Sequence, residues 1–345
     1  MTKQIMVGAV PVGGGAPVSI QSMCNTYTHD VEATVRQINL LAAAGCDIVR
    51  VAVPDLAAAK AIGAIKERIS IPLVADIHFD YRLALEAIAA GADKVRINPG
   101  NIGSEDRVKA VANACAQKGI PIRIGVNGGS LEKPLLAKYG KVCPEAMVES
   151  AFGHIALLNK YDFDDICVSL KSSSVPVAMQ AYQLMHQRSD YPLHLGVTEA
   201  GTYELGTIKS AMGIGGLLAL GIGDTFRVTL TADPVEEVTV ARRILQACGL
   251  RKDGPELIAC PTCGRTRIDL IPLAQEVERR LEGCTKPITV AVMGCAVNGP
   301  GEASAADCGI AGGNGEGLLF RRGKVLKKVP QDQLVDELMK LIDEL

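Results

Sequence analysis

The chain has 345 residues, and 48% of them are hydrophobic, which is enough for a large core and for roughly two domains. Lysine and arginine number 36 against 38 aspartates and glutamates, so no overall charge argues for binding to nucleic acid or to a membrane. Tryptophan is absent, which argues against stacking platforms for single-stranded nucleic acid. We expect neither a signal peptide nor a membrane span, and the eleven scattered cysteines indicate reduced thiols and a cytoplasmic protein.

The first elements predicted are two short strands around three consecutive glycines. The apolar runs 5–10 and 17–22 flank glycines 13–15, and this arrangement is typical of a β-hairpin. No helix follows the glycines directly, so we interpret them as a turn and not as a phosphate-binding loop.

A pattern then repeats eight times, in which a short β-branched run precedes a segment of helical periodicity. The predicted strands are 18–23, 47–51, 73–76, 94–97, 122–126, 166–170, 193–197 and 225–230. The predicted helices lie near 31–44, 56–67, 82–90, 105–117, 144–159, 176–187, 207–220 and 234–247. Repeated βα units imply parallel strands with right-handed crossovers, and eight of them match an α/β fold of the TIM (β/α)8 type. A doubly wound open sheet is the alternative.

A glycine- and proline-containing segment at 249–255 breaks the pattern and indicates a linker. We therefore predict a barrel domain over 1–250, including the hairpin, and a second domain over 251–345. The second domain is predicted to be a small α+β fold. Its predicted strands and helices are 257–259, 270–281 (helix), 288–292, 318–321, 325–328 and 331–345 (helix).

Basic side chains occur where five of the predicted barrel strands end. They are Arg50, Arg96, Arg123, Lys171 and Arg227. Strand side chains alternate between two faces, and the chemistry of such barrels lies at the carboxyl ends of the strands. The pairs that share a face are Asp76 with His78, Arg96 with Asn98, Arg123 with Asn127, Ser169 with Lys171, and Arg227 with Thr229. Burying five like charges is costly unless a ligand neutralises them, so this pattern predicts a phosphorylated or polycarboxylate ligand. For any single arginine, an ordinary salt bridge is the alternative.

The second candidate site is built from cysteines. Cys260 and Cys263 form a C-x-x-C pair, and Cys295 follows in a turn rich in glycine and proline that ends at Glu302. Three thiolates at this spacing fit an iron–sulfur cluster with one iron left for another ligand. A zinc site completed by Cys284 or Cys308 and a redox-active thiol pair are the alternatives.

Several motifs together resemble a known family. They are residues 21–23 (QSM), 74–82 (VADIHFDYR), 96–103 (RINPGNIG), 122–127 (IRIGVN), 194–201 (HLGVTEAG), 221–225 (GIGDT), 232–237 (ADPVEE), 259–263 (ACPTC) and 294–302 (GCAVNGPGE). This set is similar to the 4-hydroxy-3-methylbut-2-en-1-yl diphosphate synthase family over nearly the whole chain. The resemblance implies a TIM barrel followed by an iron–sulfur domain. It also implies the reductive ring opening of 2-C-methyl-D-erythritol 2,4-cyclodiphosphate, a step of non-mevalonate isoprenoid synthesis, with two electrons from flavodoxin or ferredoxin.

The resemblance also implies roles for individual residues. The implied ligands of a 4Fe–4S cluster are Cys260, Cys263, Cys295 and Glu302, of which the glutamate is the one that can leave. The implied diphosphate contacts are Arg50, Arg96, Arg123, Asn127, Lys171, Arg227 and Thr229. Glu199 would contact the substrate hydroxyls and handle protons, while Asp76, His78 and Asn98 would line the pocket. A homodimer, in which one subunit's cluster domain caps the other's barrel, is implied as well.

The chain departs from the family pattern at a few positions, which are Cys24, Tyr203, Glu204, Cys284 and Cys308. Two other classes of protein remain as alternatives. A cluster-dependent hydro-lyase would work without a reductant, and a non-catalytic metal-binding sensor would leave the five cations unexplained. A pterin-dependent barrel enzyme would share the fold but would not need the three cysteines.

Overall fold

The computed structural model describes residues 1–295 and 303–345 of the chain. Contacts between residues divide it into two compact units, Met1–Leu250 and Arg251–Leu345. Each unit has its own hydrophobic core, and the larger core belongs to the first unit. Within the described residues, no helix combines the length and the apolar character needed to cross a membrane.

The first unit begins with two antiparallel strands, β1 (Ile5–Val7) and β2 (Val10–Val12). The predicted hairpin is present, but its predicted turn and its second strand are wrong. The turn contains Gly8, which has a φ of 55°, and glycines 13–15 form the loop that follows β2. Those three glycines have positive φ values, a backbone conformation that ends the strand instead of extending it.

Eight parallel strands form the centre of the first unit. They are β3 (Ser19–Met23), β4 (Ile48–Ala52), β5 (Leu73–Asp76), β6 (Lys94–Ile97), β7 (Ile122–Asn127), β8 (Ile166–Lys171), β9 (His194–Leu195) and β10 (Thr225–Phe226). Their order is β8-β7-β6-β5-β4-β3-β10-β9, and a parallel bridge between Val168 and Leu193 closes the ring. The predicted TIM barrel is therefore confirmed. The strands predicted at 193–197 and 225–230 are too long, because the chain leaves the sheet after two residues to form loops at the barrel mouth.

Helices connect the strands and cover the outside of the barrel. They are α1 (Val31–Ala43), α2 (Leu56–Lys66), α3 (Tyr81–Ala89), α4 (Pro99–Ile102), α5 (Glu105–Lys118), α6 (Lys133–Tyr139), α7 (Pro144–Asn159), α8 (Val175–Arg188), α9 (Tyr203–Ser210), α10 (Gly216–Ala219) and α11 (Pro234–Ala247). The side chains of Asp30, Asp55 and Asp80 cap the first three by accepting a backbone N–H of the first turn. The helix predicted at 207–220 is interrupted by a π-helical turn at Ala211–Gly215.

The hairpin covers the amino-terminal end of the barrel. Its apolar side chains pack against side chains from early positions in three barrel strands. The residues of this cluster are Ile5, Val7, Val12, Ile48, Val74 and Cys167. The apolar contact seals this end, so polar chemistry is confined to the carboxyl ends of the strands.

The second unit is a five-stranded mixed sheet with two helices. Its elements are β11 (Glu256–Ala259), α12 (Leu270–Leu281), β12 (Thr289–Met293), β13 (Cys308–Gly312), β14 (Glu316–Arg321), β15 (Lys324–Pro330) and α13 (Leu334–Asp343). The strands are ordered β11-β12-β13-β14-β15, with the first three parallel. The sequence prediction missed β13, whose Gly309 lies where a Cβ atom would be 2.5 Å from Phe320 Cζ. A glycine that normally weakens a strand is therefore required here by close packing.

Candidate functional site

Five basic side chains gather in the open part of the barrel. They are Arg50, Arg96, Arg123, Lys171 and Arg227, and they come from five different strands or from the position directly after a strand. Burial lowers the pKa of Lys171 well below its usual value, and the positive charges of the four arginines lower it further. This mutual repulsion requires the five groups to be close neighbours. The structure thus brings together all five cations of the strand-end pattern.

Asp76 is a carboxylate within this group. Its Oδ1 lies 3.2 Å from Arg96 Nη1, and its Oδ2 lies 3.7 Å from Arg50 Nε. Burial by itself would raise the pKa of Asp76, but the nearby arginines outweigh burial and lower the pKa to about 2. Asp76 is therefore ionised at neutral pH and attracts two of the cations. The exposed ring of His78 also approaches it, with Nε2 3.7 Å from Oδ2.

Arg227 has a carboxylate partner that the sequence analysis missed. Its Nε and Nη2 atoms each lie 3.1 Å from an oxygen of Glu237, a buried residue of α11. The same carboxylate accepts the Leu230 backbone N–H at 3.0 Å and the Ser22 hydroxyl at 3.3 Å. Glu237 therefore anchors Arg227 and the loop that follows β10. The family motif at 232–237 contains this residue, but its spacing from Arg227 along the chain gave no sign of the contact.

Met23 is a second neighbour that the sequence analysis did not single out. It is the last residue of β3, and its sulfur lies close to two of the five cations. Arg50 Nη2 is 2.9 Å from Met23 Sδ, and Arg227 Nη1 is 3.3 Å from the same atom. Met23 ends the predicted strand 18–23, and its position at the carboxyl end of a barrel strand was the available signal.

Two glycines make room for the long basic side chains. A Cβ atom on Gly125 would lie 2.6 Å from Arg96 Nε, and one on Gly196 would lie 2.9 Å from Lys171 Nζ. Any larger residue at these positions would displace a cation. The glycines in the motifs at 122–127 and 194–201 are therefore part of the site.

Asn127 and Glu199 line one cavity at the barrel mouth, with a volume of about 560 Å³. The other residues around it are Gly128, Gly129, Ser130, Val142, Ser172, Ser173, Ser174, Val177 and Thr198. Glu199 is exposed and has a φ of 52°, in the left-handed region that is unfavourable for residues other than glycine. Such local strain is typical of functional loops.

The remaining two predicted barrel residues lie just beyond their strands. Asn98 follows β6 directly and is buried. Thr229 lies two residues after Arg227 and is half-buried. Both positions are at the carboxyl-terminal end of the barrel, but they lie beyond their strands, so strand alternation does not determine which way these side chains face.

Two cysteines of the second unit, Cys260 and Cys295, lie just beyond the ends of two adjacent parallel strands. Cys260 directly follows β11, and Cys295 lies two residues after β12. The Gly294 backbone N–H donates to Cys260 Sγ at 3.1 Å. Cys263 is exposed, and hydrogen bonds from Arg265 lower the pKa of its thiol. The local environment therefore suits sulfur ligands that must be deprotonated to bind a metal.

The other possible ligands differ in character. Glu302 lies outside the described residues. Cys308 is fully buried in β13, and burial raises the pKa of its thiol to about 11, which disfavours metal binding. Within residues 1–295 and 303–345, no three Cys, His, Asp or Glu side chains are grouped tightly enough to bind a single ion.

Comparison with solved structures identifies similar barrels. Dihydropteroate synthase from Yersinia pestis matches with a TM-score of 0.52 and 12% identity, covering 73% of this chain and 100% of that one. Type I 3-dehydroquinate dehydratase from Clostridium difficile matches with a TM-score of 0.52 and 14% identity, covering 71% of this chain and 97% of that one. At such low identity these likenesses show the fold alone.

Comparison of sequences is far more specific. The model of the GcpE TIM-barrel domain matches residues 2–242, and the model of the GcpE protein C-terminal domain matches residues 256–344. The 4-hydroxy-3-methylbut-2-en-1-yl diphosphate synthase (flavodoxin) of Caldanaerobacter subterraneus subsp. tengcongensis is 60% identical, covering 100% of this chain and 97% of the relative. The protein of the same name from Clostridium perfringens is 62% identical, covering 99% of this chain and 98% of the relative. The chain therefore belongs to the 4-hydroxy-3-methylbut-2-en-1-yl diphosphate synthase family.

Proposed function

We propose that this chain converts 2-C-methyl-D-erythritol 2,4-cyclodiphosphate to 4-hydroxy-3-methylbut-2-enyl diphosphate by reductive ring opening and loss of a hydroxyl group. The product is the diphosphate after which its relatives are named. The observation that carries the proposal is the excess of positive charge inside the barrel.

The charge excess follows from a short count. Four arginines, Arg50, Arg96, Arg123 and Arg227, face two carboxylates, Asp76 and Glu237, and 4 − 2 leaves two positive charges, to which Lys171 adds a third when it carries a proton. Such an excess is unfavourable in a buried site unless an anion compensates it. A diphosphate group carries the charge and the acceptor oxygens that guanidinium groups bind in pairs.

The polar residues around the cations complete the proposed substrate site. Asn127 and Thr229 would add neutral hydrogen bonds to the diphosphate, while Asp76, His78 and Asn98 would line the pocket. Glu199 would contact the substrate hydroxyl groups and transfer protons. Its exposed carboxylate beside Asn127, in the same cavity wall, supports this role.

The proposed cofactor is a 4Fe–4S cluster held by Cys260, Cys263, Cys295 and Glu302. When bound, the cluster would supply the two electrons of the reaction, one at a time. Support for this ligand set comes from the Gly294 hydrogen bond to Cys260 and from the lowered pKa of Cys263. These groups would hold thiolates at the ends of neighbouring strands.

Flavodoxin is the proposed electron donor, since the relatives carry it in their names; ferredoxin is the alternative donor.

The basic side chains of β14 and β15 are not proposed as a binding site for this donor. Lys328 pairs with Glu316 at 2.8 Å, and Lys327 pairs with Glu337, so much of their charge is already compensated. These pairs favour a structural role at the edge of the sheet.

We also propose that the chain forms a homodimer and works in the cytoplasm. Three apolar side chains at helical spacing, Leu205, Ile208 and Met212, are 52%, 57% and 59% exposed along α9 and the turn after it. An exposed apolar stripe of this kind is typical of an interface. Eleven free thiols support a reducing compartment.

The test is an anaerobic purification followed by analysis of metal and of turnover. We expect about four irons per chain and formation of the linear diphosphate from the cyclic one only when reduced flavodoxin or another reductant is added. Turnover without a reductant would instead indicate a hydro-lyase. Zinc in place of iron, or iron with no turnover, would indicate a metal-binding protein without this activity.

A further inference from the structure

We propose that Met23 is a positioning residue for the anion site, whose thioether sulfur orients Arg50 and Arg227 without neutralising them. The inference rests on the proposed function, because it concerns how the same cations are presented to the diphosphate. Met23 is thus a neutral side chain that orients two of the charged side chains around it.

The distances show that the sulfur is a principal partner of Arg50. Arg50 Nη2 and Nε lie 2.9 Å and 3.1 Å from Met23 Sδ. The nearest carboxylate contact of the same guanidinium, to Asp76, is longer at 3.7 Å. Sulfur is a weak hydrogen-bond acceptor, but two donors of a charged group converge on it here. The orientation of Arg50 therefore depends on Met23 as well as on Asp76.

Arg227 approaches the same sulfur from another strand. Its Nη1 lies 3.3 Å from Met23 Sδ, while its Nε and Nη2 are bound to Glu237. All three nitrogen atoms of this guanidinium group thus have a partner, one in β3 and two on the Glu237 carboxylate of α11. Because β10 and β4 both pair with β3, Met23 at the end of β3 lies between the two arginines.

The chemistry of the acceptor matters for binding. Two guanidinium groups repel each other, so an acceptor between them holds them together. A carboxylate at this position would do so more strongly, but it would remove one of the excess positive charges. A hydrocarbon would keep the charge and provide no acceptor. A thioether is neutral and accepts weakly, so the site retains its attraction for an anion.

The test compares Met23→Leu with Met23→Gln. Leucine has a similar volume and no acceptor, and we expect it to raise the Kd and the KM for the cyclic diphosphate about fivefold to tenfold, with kcat changed less than about twofold. Glutamine offers an amide oxygen, and we expect it to restore both constants to within about twofold of the original protein. Kd is measured by calorimetry on the anaerobically purified chain, and unfolding in urea reports stability. Met147→Leu, at a buried position of α7, is the matched control and should change neither constant.

The outcomes separate this inference from the proposed function. If the original protein neither binds nor converts the cyclic diphosphate, the proposed function fails. If it does both, and Met23→Leu leaves Kd and KM within about twofold, Met23 only fills space and the inference is wrong. The inference is also wrong if glutamine fails to restore binding while stability equals that of the leucine variant.

Discussion

Arg227 and Glu237 form a two-point ion pair, in which two guanidinium nitrogens each lie 3.1 Å from a carboxylate oxygen. The glutamate projects from α11, and the arginine directly follows β10. Because the carboxylate also accepts the Leu230 N–H, it connects a helix outside the barrel to a loop of the anion site. The pair therefore belongs to the architecture of the site and not to its exposed surface.

Replacing Glu237 by alanine should lower the free energy of unfolding by about 3 kcal/mol, because it leaves a largely buried guanidinium and an amide without their partner. Denaturation by urea measures this change. The matched control is Glu236→Ala, an exposed neighbour on the same helix, which should change stability by less than about 0.5 kcal/mol. Equal losses in the two variants would show that the ion pair contributes nothing.

Arg123→Met should weaken ligand binding without lowering stability. Arg123 is 1% exposed, and burial together with Arg96 lowers its pKa to about 10, so its charge is unfavourable in the free protein. Losing two charge-assisted hydrogen bonds of about 1.5 kcal/mol each should raise the Kd for the cyclic diphosphate about 100-fold. Calorimetry and urea denaturation give the two quantities. The matched control is Arg68→Gln, at an exposed position paired with Glu32, which should leave the Kd unchanged. The prediction would be contradicted if Arg123→Met lowered the free energy of unfolding.

Binding of the diphosphate should be accompanied by proton uptake at Lys171. In the free protein burial and the neighbouring arginines lower the pKa of this lysine, and an anion beside it would raise the pKa again. Between those two pKa values, the bound state holds more protons than the free state. Calorimetry at pH 8 in buffers of different ionisation enthalpy measures the uptake. It should vanish in Lys171→Met and persist in Lys160→Met, at an exposed site on the outside of the barrel; uptake that survives in the first variant would refute the assignment.

Lys94 should make stability depend on pH in the alkaline range. It is fully buried at the start of β6, and burial lowers its pKa from 10.5 to about 8. Between these values the unfolded chain binds more protons than the folded chain, so this residue's contribution to the free energy of unfolding rises with pH. The stability advantage of Lys94→Met over the original protein should therefore shrink by about 2 kcal/mol between pH 7.5 and 9.5. Urea denaturation at both pH values tests this, and a constant difference would show that the two states bind protons at Lys94 equally.

The thiols of the second unit should differ in their effect on metal content. Cys263→Ser and Cys295→Ser should lower iron and sulfide per chain and bleach the visible absorption of the anaerobic protein, because each removes a proposed ligand. Cys284→Ser is the matched control, since this half-buried residue lies beyond the end of α12 and is not in the proposed ligand set. Loss of iron in the control, or retention in both other variants, would revise the ligand set.

The barrel could be predicted because its pattern is local and repeated. Each strand such as β6 or β7 is a short β-branched run followed by a helix, and parallel strands place their carboxyl ends together whatever the loops do. The five cations followed from the same rule. The hairpin turn was misplaced, since the run of glycines at 13–15 is a stronger local turn signal than the single Gly8 that is used.

The parts that were missed depend on contacts between distant segments. Glu237 and Met23 contact Arg227 across intervals of 10 and 204 residues, and neither residue type by itself indicates which side chain it will contact. Strand β13 was missed because its glycines lower strand propensity, although close packing against Phe320 requires one of them. Periodicity identifies which face a residue occupies, but it does not identify the residue on the opposing element.

The hairpin at the amino-terminal end limits the direction from which ligands can reach the cations. With Ile5, Val7 and Val12 packed against that end, ligands reach the cations from the carboxyl-terminal side of the barrel. The linear and the cyclic diphosphates then bind the same cations from the same side, so we expect the linear diphosphate to be a competitive inhibitor of the cyclic one.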